Sequence, residues 1–179
     1  MSYKGKAGFT LIELLVVIGV IAVLATIILL AVNPGEQLAR GRDANRISAV
    51  TQLGKAVQSY YTTKLVLPAA GSTWMDQLVN SQDLRTVPKN PKFTPDDSTC
   101  VAYITLSIGH NGYCYFPSGS PPEALIFTKL ESSLNIKKCP SATPIAWTAF
   151  TTKEGRGGIA CTVNASTNPN PNSITWGAL

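Results

Sequence analysis

The sequence predicts an α+β fold in which one long N-terminal helix packs against a small antiparallel β-sheet. Three observations support this class. Residues 14–32 contain no charged side chain, and Thr26 is their only polar one. Beyond residue 33, apolar residues recur at steps of three and four, which is typical of an amphipathic helix. Beyond Cys100, short apolar and β-branched segments alternate with turn residues, which indicates antiparallel strands that can cover the helix.

The first segment is an apolar run over residues 9–32, about 24 residues long. As a helix it would measure roughly 36 Å, enough to cross a hydrocarbon core of about 30 Å. The apolar region of a secretory signal is shorter, about 7–15 residues. We therefore predict a single transmembrane helix. Basic residues lie on both sides of it and do not set its orientation, but the cysteines favour an oxidising compartment for the C-terminal domain.

Glu13 is the one charged residue inside this apolar run. A charge at membrane depth costs on the order of 2.5–3.5 kcal/mol, so an ionisable residue there is a functional hypothesis. Glu13 would share a helix face with Phe9 if the helix began at Phe9. Cleavage between Gly8 and Phe9 would create an amine within reach of the carboxylate, in the same chain or a neighbour. A lone subunit would then carry an imperfectly satisfied charge. The alternative is a protonated, passive Glu13 near the membrane surface.

A known family has this pattern. The sequence Gly8-Phe9-Thr10-Leu11-Ile12-Glu13, followed by an uninterrupted apolar helix, resembles the type IV prepilins and pseudopilins. The resemblance implies that residues 1–8 are a leader removed by a prepilin peptidase after Gly8. It also implies N-methylation of Phe9 by the same enzyme, and an assembly role for Phe9 and Glu13. The implied partners are other pilins, the prepilin peptidase, and a filament assembly platform with its ATPase.

Residues 33–66 are predicted to continue the helix in amphipathic form. A break is expected at Asn33-Pro34-Gly35, because proline lacks a backbone donor and clashes with the preceding turn. The expected buried stripe consists of Ile47, Val50, Leu53, Val57 and Tyr60. The opposite face is expected to be solvated, and it carries Arg42, Asp43, Arg46, Gln52, Lys55 and Gln58.

Residues 67–163 are predicted to form a globular head. Its first part, rich in proline and glycine, is expected to hold a short helix over residues 74–79. Strands are predicted over residues 101–108, 113–116, 124–130, 145–152 and 158–163, with turns at 109–112 and 155–158. Four or five short strands could cover the helix stripe. The tail over residues 164–179 is expected to be loose.

The four cysteines form no C-x-x-C pair, which argues against a zinc or thioredoxin-like site. An even number in an exported domain suggests two disulfides; buried reduced thiols are the alternative. We favour Cys139 with Cys161, because the segment between them reads as a compact strand-turn-strand loop. Cys100 with Cys114 follows by elimination.

Signals of catalysis and of ligand binding are weak, and no metal or cofactor is predicted. His110 is the single histidine and is expected in a turn. The glycines at 155, 157 and 158 lack the G-K-[ST] ending of a phosphate loop. Asp96-Asp97 could hold calcium but is expected to be solvated, and Asn164-Ala165-Ser166 fits the glycosylation pattern. The net charge of +5 forms no cluster in the sequence, so no nucleic-acid partner is indicated.

These observations predict a structural subunit of a type IV pilus-like extracellular filament, and not an enzyme. It would be a single-pass protein of the inner membrane before assembly. The alternatives are a pseudopilin in the periplasmic filament of a type II secretion system, and a minor pilin for DNA uptake or adhesion.

Overall fold

The computed structural model describes residues 8–92, 100, 108–118, 121–163, 169 and 174–177. The chain divides into two compact units, Met1–Leu38 and Ala39–Leu179. The first unit contains helix α1 (Leu11–Val32) and the start of helix α2 (Pro34–Lys64). The second contains the rest of α2, two short helices and a β-sheet. This is the predicted α+β class.

Apart from Glu13 and Thr26, the side chains of helix α1 are apolar around its whole circumference. Its large side chains from Leu11 to Leu29 are at least half exposed. By length and composition, the segment Leu11–Leu29 could cross a membrane. A helix with no polar face must bury its surface in lipid or against other apolar helices.

The break between the two helices lies at Asn33. Its backbone is left-handed, with φ 45° and ψ 78°, and its carbonyl and side chain both accept from the Glu36 N–H. Asparagine tolerates this conformation better than most residues, and proline fits the first position of the helix that follows. The break therefore falls at the predicted place, because Pro34 both ends one helix and starts the next.

Five antiparallel strands form one sheet, in the order in which they occur along the chain. They are β1 (Ile108–His110), β2 (Tyr113–Ser118), β3 (Glu123–Lys129), β4 (Ile145–Thr151) and β5 (Arg156–Thr162). Helix α3 (Trp74–Asn80) precedes the sheet, and the one-turn helix α4 (Ser133–Ile136) lies between β3 and β4. Helix α3 lies where a short helix was predicted, whereas α4 was not predicted.

The main core joins one stripe of α2 to the sheet. Val50, Leu53 and Val57 are fully buried, as predicted, against side chains that include Tyr115 and Phe150. Full burial of such side chains stabilises a fold by about 1.5–3 kcal/mol each. The helix is anchored to the head through this stripe.

Two turn predictions were wrong in detail. His110 is the last residue of β1, and the two-residue loop is Asn111-Gly112, with φ of 49° and 82°. Positive φ at both positions is typical of a type I′ hairpin turn. Strand β5 begins at Arg156, so Gly157 lies in the strand and not in the predicted turn, whereas Gly158 lies in the strand where the predicted strand began. A Cβ at Gly157 would be 3.2 Å from the Phe150 ring and one at Gly158 would be 3.0 Å from the Trp176 ring, so both positions favour glycine. The predicted strand over residues 101–108 lies outside the described residues except for Ile108.

The expectation of a loose tail was wrong for residues 174–177. The Cys161 N–H donates to the Thr175 carbonyl at 2.9 Å, and the Gly177 N–H donates to the Ile159 carbonyl at 2.7 Å. The Arg156 guanidinium lies over the Trp176 ring, 4.5 Å from its centroid. These contacts cover the outer edge of β5, which removes an unpaired strand edge.

Two disulfides join the cysteines in the predicted pairs. Cys100 is bonded to Cys114, with the two Cα atoms 5.4 Å apart. Cys139 is bonded to Cys161, with a Cα separation of 5.6 Å. The second bond ties the residues after α4 to β5. Native disulfides in small exported domains typically contribute about 2–5 kcal/mol.

Candidate functional site

The start of α1 is fixed by a reciprocal pair of side-chain contacts. Thr10 is extended, with φ −76° and ψ 152°, and its hydroxyl accepts from the Glu13 N–H at 3.2 Å. In return, the Glu13 carboxylate accepts from the Thr10 N–H at 2.9 Å and from the Thr10 hydroxyl at 2.8 Å. This is a capping box, which satisfies backbone donors that a helix N-terminus leaves free.

The capping box corrects the expected relation between Phe9 and Glu13. The helix begins at Leu11 and not at Phe9, so the two residues do not lie one turn apart on a helix face. Gly8 and Phe9 precede the helix, and Phe9 is 88% exposed. Thr10 stops the helix because its hydroxyl takes the place of the backbone acceptor in the preceding turn.

That a lone subunit carries an imperfectly satisfied Glu13 stays a prediction, and the hydrogen bonds of its carboxylate agree with it. Both hydrogen bonds from Thr10 reach the same carboxylate oxygen, Oε2. Within the described part of the chain, no hydrogen bond reaches the other oxygen, Oε1. In the single chain, Thr10 therefore holds the Oε2 oxygen of Glu13, and the Oε1 oxygen can accept a hydrogen bond from another donor.

Further along α1, a shallow groove surrounds Gly19. It has a volume of about 380 Å³ and is lined by the apolar side chains of Leu15, Val16, Val20, Val23 and Leu24. A Cβ at Gly19 would meet nothing within 4 Å. Small residues let apolar helices approach each other closely. The surface of α1 is thus suited to helix packing as well as to lipid.

A cluster of charged residues lies in the second unit, which is called the head from here on, on the face of α2 that was expected to be solvated. That expectation was wrong for Asp43 and Arg46, which are 0% and 7% exposed. The Arg46 guanidinium lies 2.9 Å from an oxygen of Asp43 and 2.9 Å from an oxygen of Glu131. It also donates to the Asn90 side chain at 2.7 Å and to the Pro91 carbonyl at 2.9 Å.

Asp43 is satisfied from the segment that leads into α4. It accepts from the backbone N–H groups of Glu131 and Ser132 and from the Asn135 amide. Burial raises the pKa of Asp43, but these hydrogen bonds outweigh it and hold the pKa below its usual value. Hydrogen bonding from Arg42 is the main cause that lowers the pKa of Glu131 to about 2. The cluster fastens α2 to the loop at Asn90 and to the start of α4.

Of the remaining candidate sites, only His110 and the glycines at 155, 157 and 158 lie among the described residues. Burial lowers the pKa of His110, with the charge of Asp76 opposing it, and within the described residues its Nδ1 has no hydrogen-bond partner. Among the residues that the structure describes, no group of three or more His, Cys, Asp or Glu could hold a metal ion. Asp96-Asp97 and Asn164-Ala165-Ser166 lie outside the described residues.

The roles of Thr10 and of the partners of Asp43 and Arg46 were not predicted from the sequence. The signal for Thr10 was present, because Thr10 and Glu13 fit the S/T-x-x-E pattern of a capping box. No comparable signal marks Asn90 or Glu131, which lie far from α2 in sequence.

Comparison with known proteins gives one match, over the segment that contains Gly8, Phe9, Thr10 and Glu13. Residues 3–29 match the model of the prokaryotic N-terminal methylation motif. No curated protein and no solved structure gives a significant match. The family that bears this motif is structural and not enzymatic. The motif implies processing by a prepilin peptidase and assembly into filaments with other pilins. Residues 3–29, which include most of the exposed apolar helix, thus carry the type IV pilin and pseudopilin signature.

Proposed function

We propose that this chain is a structural subunit of a type IV pilus-like extracellular filament, made as a membrane-anchored precursor. The observation that supports the proposal is a prokaryotic N-terminal methylation motif whose greater part forms an apolar helix exposed on all sides. Lipid would cover this helix before assembly, and the helices of other subunits would cover it afterwards. The chain acts by packing and not by catalysis.

Maturation begins with cleavage between Gly8 and Phe9. Hydrolysis breaks the amide bond, leaves a carboxylate on Gly8 and frees the amine of Phe9, which becomes the site of N-methylation. The exposed, non-helical conformation of both residues supports this step. Residues 1–8 would be the leader.

Assembly then brings the Phe9 amine of one subunit to Glu13 of a neighbour. Exchange of lipid for protein contacts changes the burial of apolar surface little. The free energy that favours assembly must therefore come from packing and polar contacts. Glu13 Oε1 can accept the amine while Thr10 holds Oε2. Extraction from the membrane would require an assembly platform and an ATPase.

The head would lie on the oxidising side of the membrane. Both pairs of cysteines form disulfides, which persist in extracytoplasmic compartments. A pseudopilin of a type II secretion system carries the same motif and is the second candidate, and a minor pilin for DNA uptake or adhesion is a variant of the first.

Mass spectrometry of the native protein tests the maturation step. We expect a chain that starts at N-methylated Phe9; an intact Met1 start would contradict the proposal. Electron microscopy of a deletion strain then separates the candidates. Loss of surface filaments supports a pilus subunit, whereas a secretion defect with surface filaments retained supports a pseudopilin.

Replacement of Glu13 by alanine tests the assembly step. We expect Glu13→Ala to be processed normally but to enter filaments poorly, because the incoming amine would lack its carboxylate. The measurement is the ratio of filament-bound to membrane-bound subunit on immunoblots of sheared cells. Wild-type incorporation of this variant would refute the charge pair.

A further inference from the structure

We propose that Thr10 is a positioning residue for leader removal. Its hydroxyl fixes the start of α1 at Leu11 and so keeps the Gly8–Phe9 peptide bond outside the helix, where a peptidase can reach the Gly8 carbonyl. The inference rests on the proposed cleavage after Gly8 and assigns a role to a residue beside the bond that is cut.

The Thr10 hydroxyl stands in for a backbone acceptor at the helix start. In an α-helix, the N–H of each residue donates to the carbonyl four residues earlier. For the Glu13 N–H that acceptor would be the Phe9 carbonyl. Here the Thr10 hydroxyl accepts the Glu13 N–H instead, at 3.2 Å, and Thr10 itself is extended. The side chain of Thr10 thus replaces the backbone turn that would contain Phe9.

Without this hydroxyl, the helix would extend towards the leader. The Glu13 N–H would then donate to the Phe9 carbonyl. One residue earlier, the Ile12 N–H would donate to the Gly8 carbonyl. Apolar surroundings favour this extension, because a backbone donor without a partner costs several kcal/mol in hydrocarbon. The Gly8 carbonyl is the group that water must attack when the bond to Phe9 is hydrolysed. Extension of the helix would tie up that carbonyl in a hydrogen bond.

The two capping residues have roles that can be separated. Removal of the Glu13 side chain leaves the bond between the Thr10 hydroxyl and the Glu13 N–H in place. Glu13→Ala should therefore keep the helix start and affect assembly, whereas Thr10→Val should move the helix start and affect cleavage. Valine matches threonine in shape and branching, and Thr10→Ser restores a hydroxyl at the same position.

The experiment uses the full chain in detergent micelles with purified prepilin peptidase. Cleavage is followed by mass spectrometry, and hydrogen exchange at the Phe9 to Glu13 amides reports where the helix starts. We expect Thr10→Val to be cleaved about fivefold more slowly, because loss of a typical N-cap changes the equilibrium at the helix start by about that factor. We also expect slower amide exchange at Ile12. Thr10→Ser should be cleaved at close to the wild-type rate.

Three results would overturn the inference. Thr10→Val could be cleaved as fast as wild type, Thr10→Ser could be as slow as Thr10→Val, or cleavage could slow with no change in amide exchange. The last result would indicate direct contact between Thr10 and the peptidase. A wild-type chain that keeps residues 1–8 would overturn the proposed function itself, and the inference with it.

Discussion

Among single residues, Arg46 joins α2 to several distant segments of the chain. Its guanidinium reaches Asp43, Glu131, Asn90 and the Pro91 carbonyl, all within 2.9 Å. Removal of one partner from a buried ion pair is strongly destabilising, because the other charge is left without compensation. Asp43 would be that charge, at zero exposure.

We therefore expect Arg46→Ala to lower the free energy of unfolding by about 3–5 kcal/mol. The matched control is Lys55→Ala, because Lys55 is an exposed cation on the same helix. Its removal should change stability by no more than about 0.5 kcal/mol. Urea unfolding of the full chain in detergent, followed by tryptophan fluorescence, measures both. A loss at Arg46 no larger than the loss at Lys55 would show that the cluster does not stabilise the head.

Glu131 should make stability depend on pH in acid. Its pKa falls from an ordinary value of 4.5 to about 2, first through hydrogen bonding from Arg42 and then from Lys92 and Arg46. The folded state therefore binds fewer protons than the unfolded state between these values. The stabilisation is complete above about pH 4.5 and is lost as the pH falls towards 2. The lowered pKa of Asp43 acts in the same direction.

The measurement is the thermal unfolding midpoint between pH 6 and 2. We expect it to fall towards low pH in the wild type and to fall less steeply in Glu131→Gln, which cannot titrate. Equal slopes for the two chains would show that Glu131 is not a source of the acid sensitivity.

At the scale of secondary-structure elements, the packing of α2 against the sheet depends on Gly54. A Cβ at this position would overlap the Phe150 ring of β4. Glycine normally costs about 1 kcal/mol relative to alanine inside a helix. It is tolerated here because the close approach of helix and strand leaves no room for a side chain.

Two glycines of the same helix should therefore respond in opposite directions to alanine. We expect Gly54→Ala to destabilise the head by about 1–3 kcal/mol through overpacking. Gly41→Ala should be neutral or stabilising by up to about 1 kcal/mol, because a Cβ at Gly41 meets nothing within 4 Å. Urea midpoints of the two variants measure the difference. Stabilisation by Gly54→Ala would show that Phe150 can move aside at little cost.

The elements that the sequence predicted well are those encoded by local patterns. The buried stripe of α2 follows the helical period, the break at Asn33 follows from Pro34, and β3 and β4 are runs of apolar and β-branched residues. The same local logic failed for Gly157, where glycine allows close packing against Phe150 and does not form a turn.

The burial of the charged residues of α2 could not be predicted from the local sequence. Asp43 and Arg46 look like solvated residues because their partners come from distant segments. Asn90 lies 44 residues beyond Arg46, and Asn135 lies 92 residues beyond Asp43. At the N-terminus, the motif around Gly8, Phe9 and Glu13 could be recognised, but the helix start at Leu11 depended on the capping contact.

At the scale of the whole molecule, the two units differ in where their stability comes from. The head has its own core, made of side chains from α2, α3 and the sheet, and two disulfides. Helix α1 has no buried large side chain in its described part. Its apolar surface must be covered by something outside the single chain.

A chain that starts at Pro34 keeps α2 whole and lacks α1. We expect this chain to be soluble without detergent, to form both disulfides and to unfold within about 0.5 kcal/mol of the full chain in detergent, since the core and the charged cluster are retained. Size-exclusion chromatography and urea unfolding measure these properties. The full chain should aggregate when detergent is removed, because an exposed apolar surface of this length has no other cover in water. Aggregation or unfolding of the shortened chain would mean that α1 stabilises the head directly. Helix α1 would then pack within its own subunit. Its apolar surface would be less available to leave the lipid and pack against the helices of neighbouring subunits.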